Sequence, residues 1–306
     1  MKKNYFTVSS ASDHTPLSVM EMIPDQVDGV MQLVHGMAEH KERYLPFMYY
    51  LARHNIATII HDHRGHGYTA KNEEELGFFN EENAQYIVED VNDIYKIMKA
   101  QFPDVPYTLF GHSMGSLIVR KYLQQYDDQI DRLIVCGAPG NNPLVDYGLL
   151  LVEKLEKRYG KHHRSKIVTS LSTGMYDRKF EGKQKNRWIS ADEDNVRAFN
   201  SHEKDAFTFT LNGYKNLFQL VKDVYDPENW KKANVNMPVL FIAGEDDPVI
   251  LSTEKWIEAQ RFLKAQGYKN VKGILFEGMR HEILNEKNKD LVYRHILEFV
   301  QERNVS

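Results

Sequence analysis

This chain predicts an α/β fold: a mostly parallel central sheet with helices on both faces and an inserted helical cap. Three observations carry that expectation. Short apolar runs alternate with longer stretches of helical periodicity along most of the chain. Several of these runs are apolar at consecutive positions, as in Ile56 to Ile60, which is how a strand covered on both faces reads. The alternation breaks once, from Gly140 to about Thr210, and then resumes.

Taken in order, Tyr5 to Ser9 and Leu17 to Met22 alternate like two antiparallel strands joined through Asp13-His14-Thr15-Pro16. Gly29 to Val34 is a third strand, ending in His35-Gly36-Met37-Ala38-Glu39-His40. Arg43 to His54 is a helix with Pro46 in its first turn, where a missing N–H is tolerated. Ile56 to Ile60 is a strand that stops at His61-Asp62-His63-Arg64-Gly65-His66-Gly67. Asn83 to Phe102 is an amphipathic helix, Val105 to Phe110 a strand, Met114 to Tyr126 a helix and Asp131 to Cys136 a strand. Inside the insertion, Leu144 to Tyr159 is helical, and Ser190 with Glu193 three residues on reads as a helix N-cap. The core resumes with a helix over Leu211 to Val224. Strand Pro238 to Ala243, helix Ser252 to Ala265, strand Val271 to Phe276 and helix Glu286 to Arg303 follow. The expected domains are therefore a core of residues 1–139 and 211–306 and a cap of residues 140–210.

Bulk properties narrow the class. The chain has 306 residues, 42% of them hydrophobic, enough for a large core. Its formal net charge of −4 gives no sign of nucleic-acid binding. No apolar run is long enough to span a membrane, so no stable insertion is expected. The start, Met1-Lys2-Lys3-Asn4-Tyr5, lacks the apolar stretch of a signal peptide. A single cysteine, Cys136, excludes an internal disulfide and fits a reducing compartment. The expected location is the cytoplasm.

Gly111-His112-Ser113-Met114-Gly115 is a G-x-S-x-G run between a strand and a helix, the context in which a nucleophile elbow lifts a serine hydroxyl off a sheet. Serine needs a base to take its proton, and the base needs an acid to hold it. In this architecture the order is nucleophile, acid, histidine. Glu245, Asp246 and Asp247 all follow a late strand; Pro248 keeps Asp247 extended, which favours Asp247 over its runner-up Asp246. His281 is the histidine of the loop after the last strand. Two backbone N–H groups must receive the oxyanion: Met114, after the nucleophile, and Met37, in the loop after the third strand. His61, His63 and His66 around Asp62 raise a metal cluster as an alternative. Their order matches no standard zinc motif, so they are expected to brace the oxyanion turn by hydrogen bonds, with no metal and no other cofactor.

These residues are familiar as a set. His35-Gly36-Met37-Ala38-Glu39-His40 with Arg43-Tyr44, the His61 to Gly67 run, the elbow, Asp247-Pro248-Val249 and Gly278-Met279-Arg280-His281-Glu282 occur in order across nearly the whole core. Together they resemble the lysophospholipase and monoacylglycerol lipase group of the α/β-hydrolase fold. The insertion resembles the cap of bacterial members at Trp188-Ile189-Ser190 and Phe207 to Tyr214. The resemblance implies a Ser113, Asp247, His281 triad, Met37 and Met114 as oxyanion donors, and Glu39 and Arg43 shaping the pocket for a glycerol-like head. Met37, Ser116 and Thr69 depart from the usual small residue, glycine and serine, and none removes a catalytic group. The expected activity is hydrolysis of a small-molecule carboxylic ester, foremost a monoacyl lipid. A small-ester or thioester hydrolase, an aminopeptidase with an acidic amine site near Glu193, and a non-catalytic binder are the alternatives.

Overall fold

β1 (Lys2–Ser9) and β2 (Pro16–Ile23) pair antiparallel, in register from Lys2 opposite Ile23 to Ser9 opposite Pro16. β2 turns its other edge, again antiparallel, to β4 (Ile56–His61). From there every pairing is parallel: β4 with β3 (Gly29–Val34), then β5 (Tyr107–His112), β6 (Arg132–Cys136), β7 (Val239–Gly244) and β8 (Val271–Phe276). The sheet order is β1-β2-β4-β3-β5-β6-β7-β8. This computed structural model describes residues 1–302, so Arg303, the expected end of the last helix, lies outside them.

The consecutive apolar runs have the cause inferred from sequence. In β5 and β6, Leu109, Leu133 and Val135 face one core, while Phe110, Ile134 and Cys136 face another. α2 (Tyr86–Gln101), α3 (Met114–Tyr126) and α8 (Thr253–Ala265) cover the first face. α1 (Leu45–Ala52) and α9 (Lys289–Gln301) cover the second. The order reverses beside β3: the chain leaves it for β4 on one side and returns to β5 on the other. A crevice opens at the carboxyl ends of strands where such a reversal occurs. The loop after β3 and the elbow after β5 diverge there.

Between β6 and β7 lie α4 (Val145–Tyr159), α5 (Lys166–Ser172), α6 (Glu193–Ser201) and α7 (Leu211–Asp223). α5 was not foreseen, because its KIVTSLS is too short and too β-branched to show helical periodicity. The cap of α6 is Asp192, which accepts from the Asp194 N–H; Ser190 instead accepts from the Asp192 N–H. The expected Ser190 cap is thus two residues early, since both side chains can accept from a backbone two residues on. α7 packs on α3 and on α4 alike.

Candidate active site

Ser113 sits at the elbow with φ 55 and ψ −117, a region that non-glycine residues avoid at a cost of about 1–3 kcal/mol. Two glycines make that turn possible. A Cβ on Gly111 would strike the Gly115 carbonyl, and one on Gly115 would strike the carbonyl oxygens of Val34 and His35. The helix start is therefore pressed against the end of β3. Ser116 Oγ donates to the Ser113 carbonyl at 2.6 Å, so its hydroxyl serves the turn.

Of the three acidic candidates after β7, Glu245 and Asp246 are exposed and Asp247 is buried. Asp247 Oδ2 lies 2.8 Å from His281 Nδ1, and its Oδ1 accepts from the Val249 N–H at 2.9 Å. Pro248 opens the short turn behind Asp247, whose backbone is extended. Gly137, at φ 56, leaves room for the pair: a Cβ there would lie 3.0 Å from His281 Cε1. Ser113 and His281 line one cavity. No hydrogen bond joins them among the described residues. Such contacts are often loose before substrate is bound.

The loop after β3 is held by Glu39. Its Oε1 accepts from the Gly36 N–H at 2.6 Å and from Tyr44 Oη at 3.0 Å. That spends the Gly36 N–H. The N–H groups of Met37 and Met114 make no hydrogen bond among the described residues. Glu39 lines the cavity, whereas Arg43 does not. The Arg43 side chain is 8% exposed and is enclosed by Glu39, Asp205 and Glu282, so it braces the wall from behind.

The histidine run divides. His63 braces as expected: its N–H donates to His35 Nε2 at 3.0 Å, and its Nε2 is 3.1 Å from the His35 carbonyl. His61 does not, since both of its ring nitrogens are buried without a hydrogen-bond partner. Asp62 holds the loop by accepting from Lys41 Nζ at 2.7 Å and from the Tyr68 N–H at 2.8 Å. Thr69 Oγ1 donates to the Asp62 carbonyl at 2.7 Å. Burial lowers the basicity of His61 to a pKa of about 3 and of His66 to about 4, and holds His35 and His63 well below the ordinary value.

His40, His202 and Asp205 bring possible ligand atoms within 4.8 Å of one another. The two rings stack at 4.1 Å with only 12° between their planes. Near-parallel rings aim their lone pairs side by side, which is not a chelating arrangement. His40 Nδ1 is already bonded to Asp205 Oδ1 at 2.6 Å, with the Arg43 guanidinium 3.5 Å from Asp205 Oδ2. The group cross-links two loops.

The cavity measures about 620 Å³. Its floor is Ser113, Met114, Met37 and His281, and Leu151, Val168, Leu217, Phe218 and Val221 make an apolar wall. Trp188 reaches over His281, the two rings 5.1 Å apart, and Tyr176 packs 5.1 Å from Trp188. Sequence reasoning assigned no role to Trp188, Tyr176, Gly137 or His112. Only the elbow position of His112 could have flagged it; the others are brought in by the fold.

Comparison with known proteins agrees with this architecture. A family model described as serine aminopeptidase, S33, matches residues 25–288, and the chain belongs to that family of α/β hydrolases. Among curated relatives, a stretch of 122 residues is 30% identical to a probable lysophospholipase L2 of Haemophilus influenzae, covering 40% of this chain and 36% of that protein. A stretch of 113 residues is 31% identical to a monoacylglycerol lipase of Mycolicibacterium smegmatis, covering 37% and 39%. The chain thus spans well under half the length of these two. The phospholipase YtpA of Bacillus subtilis aligns at 24% identity over 88% of this chain and 94% of its own. A thermostable carboxyl esterase from Bacillus coagulans, solved in complex with glycerol, superposes with a TM-score of 0.90 at 28% identity, covering 98% of both chains. No helix among the described residues is long and apolar enough to cross a membrane.

Proposed function

We propose that the protein hydrolyses carboxylic esters with an apolar acyl chain, foremost monoacylated lipids such as lysophospholipids or monoacylglycerols. The reading assigns Ser113 as nucleophile, His281 as base, Asp247 as the acid behind it, and the N–H groups of Met37 and Met114 as oxyanion donors. Residues 140–210 form the cap in this reading, with α7 completing its apolar wall. The lone buried thiol of Cys136 supports a cytoplasmic setting. The names of the relatives support the substrate class.

The mechanism follows from the groups at hand. Ser113 Oγ attacks the ester carbonyl as His281 Nε2 takes its proton. Asp247 keeps the Nδ1–H in place and balances the imidazolium. The oxyanion accepts from the two free N–H groups, each worth about 3 kcal/mol in the transition state. Collapse expels the alcohol, which takes the proton from His281. Water then enters and its oxygen attacks the acyl carbon as His281 takes one of its protons; collapse breaks the bond to Ser113 Oγ, which recovers the proton from His281, and the acid leaves.

The observation that carries the proposal is the cavity itself: one space joins Ser113, His281 and an apolar wall. Each methylene buried there gains about 0.8 kcal/mol. The aminopeptidase alternative needs an unpaired carboxylate to hold an amine. Glu39 and Glu282 face Arg43, and Asp177 accepts from the N–H groups of Asn186 and Trp188. Glu193 is exposed beside Arg197 and does not line the cavity.

The test is a fluorophosphonate probe followed by a panel of p-nitrophenyl esters from acetate to palmitate, beside a monoacylglycerol and a lysophosphatidylcholine. Labelling lost in Ser113→Ala, and kcat/KM rising with acyl length to a maximum, are expected. Activity highest on acetate and falling with each added carbon would overturn the lipid reading. An unlabelled Ser113 would overturn the nucleophile assignment.

A further inference from the structure

His112 stands beside Ser113, and the mechanism above leaves it unused. Its ring is buried and forms two contacts. Nδ1 lies 3.2 Å from Glu39 Oε1, and Nε2 lies 3.2 Å from the backbone carbonyl oxygen of His281. Both partners are acceptors. A neutral imidazole has one N–H and one lone pair, so it can donate to only one of them and must turn its lone pair on the other. Only the imidazolium donates to both.

The surroundings favour that charge. Glu39 keeps its carboxylate ionised down to about 2, held by His112, Arg43 and the Gly36 N–H. Arg43 faces Glu39, Asp205 and Glu282, three carboxylates against one guanidinium, so a second cation improves the balance. The other titratable groups near the ring are His281 at 4.6 Å between centroids, Asp247 behind His281, Tyr44 on Glu39, and Cys136 opposite His112 in the sheet. Burial pulls the His112 pKa down, but the Glu39 contact, the charge of Glu282 and the His281 carbonyl together outweigh it and raise the pKa above its ordinary value.

We propose that His112 is a doubly protonated positioning residue that ties the oxyanion loop to the loop carrying His281, so that losing its proton sets the alkaline limit of activity. The proposal rests on the assignment of His281 as base and Met37 as oxyanion donor. The same Glu39 oxygen holds His112 and the Gly36 N–H, one residue before Met37. The other end of the ring holds the backbone of His281 itself. One side chain thereby sets the distance between donor and base. When the ring turns neutral, one of the two oxygens meets a lone pair and the two loops part. Burial pushes Tyr44 and Cys136 well above their ordinary values, so neither titrates in the range just above that of histidine.

Two measurements test this on the full chain. The first is a 15N–1H spectrum of the histidine side chains at pH 7.5, a unit above the ordinary histidine pKa. One ring should carry two N–H protons, and its signal should vanish in His112→Gln. The second is the pH profile of kcat/KM on a p-nitrophenyl ester. The wild type should lose activity on the alkaline side. Glu39→Gln should move that fall to lower pH. His112→Gln should abolish it while lowering kcat about ten- to hundredfold with little change in KM, as expected for displaced rather than missing groups. A neutral His112 ring at pH 7.5, or an alkaline limb unchanged in His112→Gln, would overturn the proposal. The spectrum does not depend on turnover, so an inactive enzyme with a doubly protonated ring would count against the assigned reaction and not against the charge state.

Discussion

The two halves of the segment over the cavity are built differently. Residues 141–180, with α4 and α5, leave large apolar side chains in the open: Tyr147 is 71% exposed, Leu171 67% and Leu144 63%. Their polar ties run to the outside of the core, as in Lys222 to Asp146 and Arg164 to the carbonyls of Glu73, Glu74 and Leu76. Residues 187–206 are tied to the loop that carries His281. Arg280 donates to the carbonyls of Arg187 at 2.6 Å and Ser190 at 3.1 Å. Glu286 accepts from the N–H groups of Ala191 and Asp192, and the Glu282 N–H donates to the Ile189 carbonyl. Arg43, Asn195 and Glu282 close the set from α6. The first half is an apolar roof, and apolar contact is non-directional, so a substrate chain can replace what it loses. The second half is a mount for the His281 loop, fixed by directional and charge-assisted bonds.

The largest effect belongs under the mount. Asp247→Asn should cost about 10⁴ in kcat, because it leaves His281 in the wrong tautomer, while Asp246→Asn should stay within about twofold. Equal rates for the two variants would show that the Asp247–His281 contact does not matter to turnover.

Next comes the mount itself. Glu286→Ala removes the acceptor shared by Ala191, Asp192 and Arg280, and kcat should fall about ten- to hundredfold on acetate and long esters alike. If the loss appears only on long esters, the second half is roof as well, and the contrast fails.

The roof should behave the other way. Leu151→Ala widens the apolar wall. It should lower kcat/KM about tenfold on long-chain esters, matching about 1.5 kcal/mol of lost burial, and leave acetate nearly unchanged. A uniform loss across chain lengths would make α4 a structural support.

Acid should loosen the histidine cluster behind the loop after β3. His35, His61, His63 and His66 are neutral in the fold, with pKa values depressed by burial. The unfolded chain binds more protons below about pH 6.5, so stability falls as pH drops from there toward the folded values, by about 1 kcal/mol per ring at pH 5.5. Glu81, pushed up to about 7 by burial, works in the opposite sense over part of that range, as do His112 and the buried Asp62, Asp90 and Asp205, whose pKa values are also raised. The contribution of one ring is therefore read by difference: between pH 7 and 5 the melting temperature of the wild type should fall relative to that of His61→Leu. A difference between the two proteins that stays constant over that interval would mean that the His61 ring is hydrated.

Legibility followed the range of the forces. Strand β3 and helix α3 were read to the residue, because a mostly apolar run and 3.6-residue periodicity are local consequences of burial. The elbow was legible for a similar reason: two glycines flank a strained serine within five residues, and neither tolerates a Cβ. Asp247 was favoured through its neighbour Pro248, but Asp246 stayed open. What separates them is burial against His281, 34 residues on, which no local pattern encodes. Arg43 was expected in the pocket and lies behind it, since Asp205 and Glu282, both far off in the chain, join the nearby Glu39 in claiming its guanidinium. Trp188 over His281, Gly137 beneath it, the Glu39–His112 bridge and the contrast between the two halves of the segment over the cavity likewise join residues far apart in sequence. Local pattern was enough for the sheet, for the elbow and for the order in which Ser113, Asp247 and His281 follow one another. Which charges are paired is a property of the fold alone, because pairing is set by distances that exist once the loops have met.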